Sequence, residues 1–216
     1  MKMPFNKKVL NIVFLLDTSG SMQRDNAIEV LKAGVRDLVA EIGLWSEGKA
    51  VEPYITVIGF ANDAYYIVGS DQGGVLVKDV SIPDFKADGI TEMAAAVKLS
   101  AEMLHTSFDA DTKYAKTCLI LFSDGGSTDG DLPVHLIEET ALGANSTRLA
   151  VAYGEHADVD VLSSFITEAF AHDGVGVTKA ENCTDLVQRL REATFVAMQG
   201  KAQEEVPVLE GELLVG

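Results

Sequence analysis

From residue 9 onward, apolar runs of strand length alternate with segments whose apolar residues recur every three or four positions. That alternation constrains the fold most strongly, because strand–helix–strand units build a parallel sheet with helices packed on its faces. Residues 9–16 (Val-Leu-Asn-Ile-Val-Phe-Leu-Leu) form a nearly unbroken apolar run, which suits a strand buried on both faces. From about Asp25 the period changes. Ile28, Leu31, Val35, Leu38, Val39, Ile42 and Trp45 mark the buried stripe of a helix that frays at Gly43 and Gly48. Residues 54–60 and 64–68 read as strands, and the three residues between them permit only an antiparallel hairpin. Residues 70–90 carry Gly73, Gly74, Pro83 and Gly89 without a clear period, and so long a connection is commonly functional. The remainder reads as a helix over 91–104, a strand over 117–122, and a helix from Pro133 to Leu142. A strand over 148–153, a helix over 159–170, a short strand over 175–178 and a last helix over 184–198 follow. The expectation is an α/β fold with a doubly wound, Rossmann-like, mostly parallel six-stranded sheet, one antiparallel edge strand, and helices on both faces. Residues 1–199 make the domain. Residues 200–216, with Glu204, Glu205, Glu210 and Glu212 among valines and leucines, read as an extended tail or terminal strand, either a tether or a partner motif.

Composition narrows the function. Acidic side chains number 33 against 17 basic, a net charge of -16, which disfavours nucleic-acid binding because phosphate neutralisation needs a basic face. No stretch approaches the roughly 18 apolar residues of a membrane span, and 47% apolar content in patterned blocks excludes disorder as the main state. Lys2, Lys7 and Lys8 lead into a run broken by Asn11 and ended by Asp17, unlike a secretory signal. With Cys118 and Cys183 showing no disulfide spacing, the expected setting is cytoplasmic with reduced thiols. The acidity suggests a cation as partner without locating it.

Ligands of doubly wound folds gather beyond the carboxyl ends of the strands. Three loops there carry small oxygen donors: Asp17-Thr18-Ser19-Gly20-Ser21 after the first strand, Gly89-Ile90-Thr91 before a helix, and Ser123-Asp124-Gly125 after another core strand. Singly, Ser19, Ser21 and Thr91 read as helix caps and the aspartates as strand ends. Together, Asp17, Ser19, Ser21, Thr91 and Asp124 make a hard, all-oxygen set that suits Mg²⁺. Two carboxylates balance the ion's charge, while three neutral hydroxyls leave its field poorly quenched. An open position then attracts an anionic oxygen, most plausibly an Asp or Glu of a protein partner.

Asp17-x-Ser19-x-Ser21 with the later Thr91 and Asp124 resembles the metal-ion-dependent adhesion site of the von Willebrand factor type A domain, and the resemblance spans residues 7 to 198. It implies a Mg²⁺ site in which Ser19, Ser21 and Thr91 ligate directly in the ligand-competent state and Asp17 and Asp124 often act through water, with Mn²⁺ or Ca²⁺ able to substitute. It also implies a metal-dependent protein-interaction module rather than an enzyme. The stretches 15–22 and 122–129 are similar to intracellular bacterial members associated with tellurium resistance and stress operons. Ser123 stands where many of those chains have threonine.

Other readings are weaker. An Asp after the first strand can be a phosphatase nucleophile, but the acid/base expected two residues later is Ser19. No phosphate-binding Gly-x-x-x-x-Gly-Lys motif is present, so a link to nucleotide hydrolysis would run through an ATPase partner, as in chelatase-like members. A scaffold with a purely structural metal, binding through its tail, is the remaining alternative. His105, His135, His156 and His172 lack zinc spacing and read as surface or capping residues. Asp129 and Asp131 read as added negative potential beside the metal, and Lys113 and Lys116 as solvated.

Overall fold

The structure, a computed structural model, describes residues 7–171 and 177–199. A central sheet is flanked by helices. β1 (Lys8–Asp17) is followed by a 3-10 helix, Gly20–Asn26, and by α1 (Ala27–Ser46). β2 (Val51–Phe60), β3 (Ala64–Val68) and the two-residue β4 (Val75–Leu76) precede α2 (Met93–Thr106). β5 (Tyr114–Ser123), α3 (His135–Glu138), β6 (Thr147–Tyr153), α4 (Val159–Phe165), α5 (Glu168–Ala171), β7 (Val177–Ala180) and α6 (Cys183–Gln199) follow among the described residues. The sheet order is β3-β2-β1-β5-β6-β7, with β1, β2, β5, β6 and β7 parallel and β3 antiparallel to β2.

The expected doubly wound sheet is therefore present, with one strand more than anticipated: β4 also pairs antiparallel with β2, at Tyr54 and Ile55. Two residues are too few to leave a periodic signal. Three helix boundaries also differ. The stretch from Asp25 begins as a 3-10 turn with a kink, the helix from Pro133 shortens to four residues, and the 159–170 segment breaks at Ile166. The short strand expected at 175–178 falls partly, and the tail at 200–216 wholly, outside the described residues.

The apolar runs behave as their composition requires. Every residue from Ile12 to Asp17, from Thr117 to Ser123 and along β6 is buried, so helices cover both faces of these strands. α1 packs on α6 closely enough that a Cβ at Gly34 would lie 2.7 Å from Val187 Cγ2.

The kink before α1 carries consecutive left-handed residues, Asp25 (φ 50) and Asn26 (φ 60). Asn tolerates this region and Ala does not, at a cost on the order of 1 kcal/mol. Asn26 is exposed and makes no side-chain cap. Asn26→Ala should lower the urea midpoint accordingly, and Asn26→Gly should not; equal midpoints for the two variants would disprove a backbone origin.

Candidate functional site

β1 lies between β2 and β5, so the strand order reverses at its carboxyl end, where a crevice opens in folds of this kind. The register pairs Leu16 with Phe122, which brings Asp17 level with Ser123. Asp17 is fully buried. Its Oδ1 accepts from the Ser19 N–H at 2.8 Å and its Oδ2 from the Ser123 hydroxyl at 2.6 Å. The Ser19 and Ser21 hydroxyls lie 2.9 Å apart, and Ser21 Oγ donates to Asp124 Oδ1 at 2.7 Å. Four of the five expected residues thus form one hydrogen-bonded chain.

Thr91, the fifth, arrives from the long 70–90 connection, and three straps fix its approach. The Asp88 N–H donates to Thr18 O at 2.9 Å, the Gly20 N–H to Gly89 O at 3.0 Å, and Gln23 Nε2 to Ala87 O at 2.8 Å. Gly89 has φ 83, which glycine adopts without strain. Farther back, Lys32 is buried and bonds both Glu29 and Asp84 at 2.7 Å, tying the connection to α1. Thr91 is buried, and a Cβ added at Gly125 would lie 4.0 Å from its Oγ1, so its hydroxyl faces the third loop.

Burial sets the electrostatics. It lifts the Asp17 carboxyl to about 6, against the donations from Ser123 and Ser19. Burial also raises Asp124, opposed by the Ser21 hydroxyl and the charges of Arg24 and His156. Two carboxylates that resist ionisation, joined through hydroxyls, form a donor set that a hard divalent cation would satisfy. Among the described residues no three His, Cys, Asp or Glu side chains gather as a metal-binding group, so any cation here depends on the hydroxyls.

Ser123 and Asp129 have roles beyond those the sequence indicates. Ser123 clamps the second oxygen of Asp17, and its position before Asp124 was the available signal. Asp129, expected to add negative potential, also has specific partners. Its two oxygens accept from the Ala94 and Ala95 N–H groups at 3.0 and 2.8 Å, and the Ser127 hydroxyl adds a third donation. Burial works against its charge, but those donations hold the carboxyl below its ordinary range. It therefore caps α2 from a distant loop, and Thr128 reinforces the junction by donating through N and Oγ1 to Thr91 O. A depressed carboxyl stabilises the fold above its unfolded pKa and loses that contribution as pH falls through the folded one. Asp129→Ala should cost about 1–2 kcal/mol at pH 7, and the difference from the natural chain should shrink below about pH 4; a pH-independent difference in urea titrations would refute the cap. His105, His135 and His156 are exposed, as expected, while His172 lies outside the described residues. Lys116, expected to be solvated, is half-buried and its pKa is lowered by that burial. Cys118 and Cys183 are free thiols.

The family model of the von Willebrand factor type A domain matches residues 12–127, more than half of the chain. The chain belongs to the von Willebrand factor type A family. Domains of this family are protein-interaction modules, often metal-dependent. Among solved structures, proximal thread matrix protein 1 from the mussel byssus, in a form described as having a zinc-occupied MIDAS motif, is 20% identical with a TM-score of 0.63, covering 89% of this chain and 48% of that one. The ArnB paralog VWA2 from Sulfolobus acidocaldarius is 19% identical (TM-score 0.58, 86% and 45% covered). A von Willebrand factor type A protein from Catenulispora acidiphila is 14% identical (TM-score 0.64, 89% and 43% covered). At these identities the likeness is one of fold, and the chain spans about half the length of these neighbours or less. No curated protein sequence matches it. No helix among the described residues is long and apolar enough to cross a membrane.

Proposed function

We infer that this von Willebrand factor type A domain is a divalent-cation-dependent protein-interaction module without catalysis. Asp17, Ser19, Ser21, Thr91 and Asp124 would hold Mg²⁺, and a partner's Asp or Glu would complete its coordination. The observation that carries this reading is the hydrogen-bonded chain from the buried Asp17 and Ser19 through the half-buried Ser21 to Asp124. Bound there, the ion supplies a Lewis-acidic position for an incoming carboxylate. This chain's residues do the rest. Ser123 and the Ser19 N–H orient Asp17, Asp129 and Thr128 hold the Thr91 junction, and the loops at 23–26, 70–90 and 126–132 present the surface a partner reads. The finer placement in a cytoplasmic bacterial stress-response or tellurium-resistance complex is supported by the likeness of residues 15–22 and 122–129 to that branch.

Mn²⁺ titration followed by water-proton relaxation tests the site, and acetate addition tests the open position. A 1:1 ion whose relaxation enhancement falls as acetate displaces metal-bound water is expected. Thr91→Ala should weaken both responses while leaving the unfolding free energy from urea titration within about 1 kcal/mol of the natural chain. Absence of Mn²⁺ binding up to millimolar concentrations would overturn the reading.

A further inference from the structure

At the end of the sheet opposite the candidate metal site, a groove of about 720 Å³ runs between the carboxyl-terminal half of α1, the amino end of β2 and the β4 segment. Val39, Leu44, Val51 and Leu76 give it apolar walls, and Leu44 is 69% exposed, the most open large apolar side chain among those described. Its charge departs from the rest of the molecule. Lys7, Arg36 and Lys78 line it against Glu47 and Glu52, a local excess of cations on a chain of net charge -16. A groove with an open leucine at its lip and cations along its wall is suited to a segment that is both acidic and apolar.

We propose that residues 200–216 of this chain occupy the groove. The segment has the complementary chemistry: Glu204, Glu205, Glu210 and Glu212 against a single Lys201, interleaved with Val206, Val208, Leu209, Leu213, Leu214 and Val215. The topology delivers it to the correct end. Gly34 of α1 abuts Val187 of α6, and Glu41 pairs with Arg191, so both helices advance in the same sense and Gln199 emerges at the end where α1 terminates. From there the segment must pass beneath α1, whose diameter is about 10–12 Å. Residues 200–216 reach up to about 56 Å when extended, so the first few cross and the acidic, apolar remainder stays available. Burying two leucines and a valine on the exposed Leu44 lip supplies the attraction, and the acids meet Lys7, Arg36 and Lys78 at the rim. Because the groove opens at the amino ends of β1 and β2, occupancy leaves the Asp17–Asp124 face uncovered.

Carbodiimide cross-linking of the full chain, mixed from isotopically light and heavy protein, tests the proposal. Intrachain cross-links from Glu204, Glu205, Glu210 or Glu212 to Lys7 or Lys78 are expected. The tail variant L213S/L214S, which removes the apolar side chains without adding charge or a carbodiimide-reactive carboxyl and alters no described residue, should reduce those cross-links about tenfold. Hydrogen exchange at residues 43–47 and 75–80 should accelerate in the same variant while β1 and β5 stay unchanged. Cross-links only between light and heavy chains would place a second copy in the groove instead. Unchanged exchange and unchanged yield in the variant would show that the tail leucines do not sit in the groove. Either result overturns the proposal.

Discussion

Replacing Asp17 with asparagine is expected to raise the melting temperature of the metal-free chain at pH 7 and to abolish its response to Mg²⁺. The carboxyl is fully buried, and burial moves it from its ordinary 3.8 to about 6. A folded-state pKa above the unfolded value means that the native state holds the proton more tightly. The metal-free chain therefore loses stability as pH rises from about 4 to about 6, and the penalty stands in full at pH 7. A shift of this size corresponds to about 3 kcal/mol. Asparagine removes the charge and keeps the shape. Its Oδ1 accepts from the Ser19 N–H, and its amide donates to Ser123 Oγ, which already contacts the backbone of Gly125 at 3.2 Å. The variant should melt about 6–12 °C higher in EDTA. In the natural chain Mg²⁺ should offset the penalty by neutralising the carboxylate pair and by binding only the folded state. Scanning calorimetry of both proteins, with and without Mg²⁺, at pH 4.5 and pH 7, checks the result. A variant that melts below the natural chain in EDTA at pH 7, or that still gains stability from Mg²⁺, would remove Asp17 from the site.

How much of this was legible beforehand follows from where each signal resides. β1, β5 and β6 were readable because burial on both faces demands consecutive apolar residues. The Asp17, Ser19 and Ser21 spacing was readable because it sits within one turn at a strand end. The 70–90 connection was recognisable only as long and aperiodic; its straps from Thr18, Gly20 and Gln23 are backbone and amide contacts that leave no mark in composition. The capping role of Asp129 leaves no local signal because its partners, the Ala94 and Ala95 N–H groups in the first turn of α2, lie 35 and 34 residues away. The same applies to Lys32, whose position on the buried face of α1 conflicts with its charge until Asp84 supplies the partner. What was missed was tertiary: polar side chains whose roles are fixed by distant backbone.

Arg148 shows the largest such case, and its removal is expected to destabilise the domain more than any change at the metal site. β6 is buried along its whole length, and Arg148 within it is only 5% exposed. The guanidinium joins three elements: Nε donates to Phe165 O at the end of α4 at 2.9 Å, Nη2 to Glu138 of α3 at 2.6 Å, and Nη1 reaches Ser146 Oγ at 3.4 Å. Removing one member of a buried ion pair costs about 3–5 kcal/mol when the other is stranded in the interior. Glu138 is half exposed, so water can resolvate its carboxylate and the value for Arg148→Ala should lie near the lower bound, about 3 kcal/mol. Most of that cost comes from the cavity and from Phe165 O, which loses its donor. Arg148→Met keeps the aliphatic packing and should cost less than Arg148→Ala, while Glu138→Gln should cost least because its amide oxygen still accepts. The amino end of the same α4 is capped by Asp158, whose Oδ2 would lie 3.5 Å from a Cβ added at Gly126, so the helix that Arg148 anchors also borders the metal-face rim. Urea midpoints in the order natural, Glu138→Gln, Arg148→Met, Arg148→Ala are expected. A Glu138→Gln variant as unstable as Arg148→Ala would assign the energy to the ion pair itself, and an Arg148→Met variant more stable than the natural chain would show that the arginine is retained at a cost to stability.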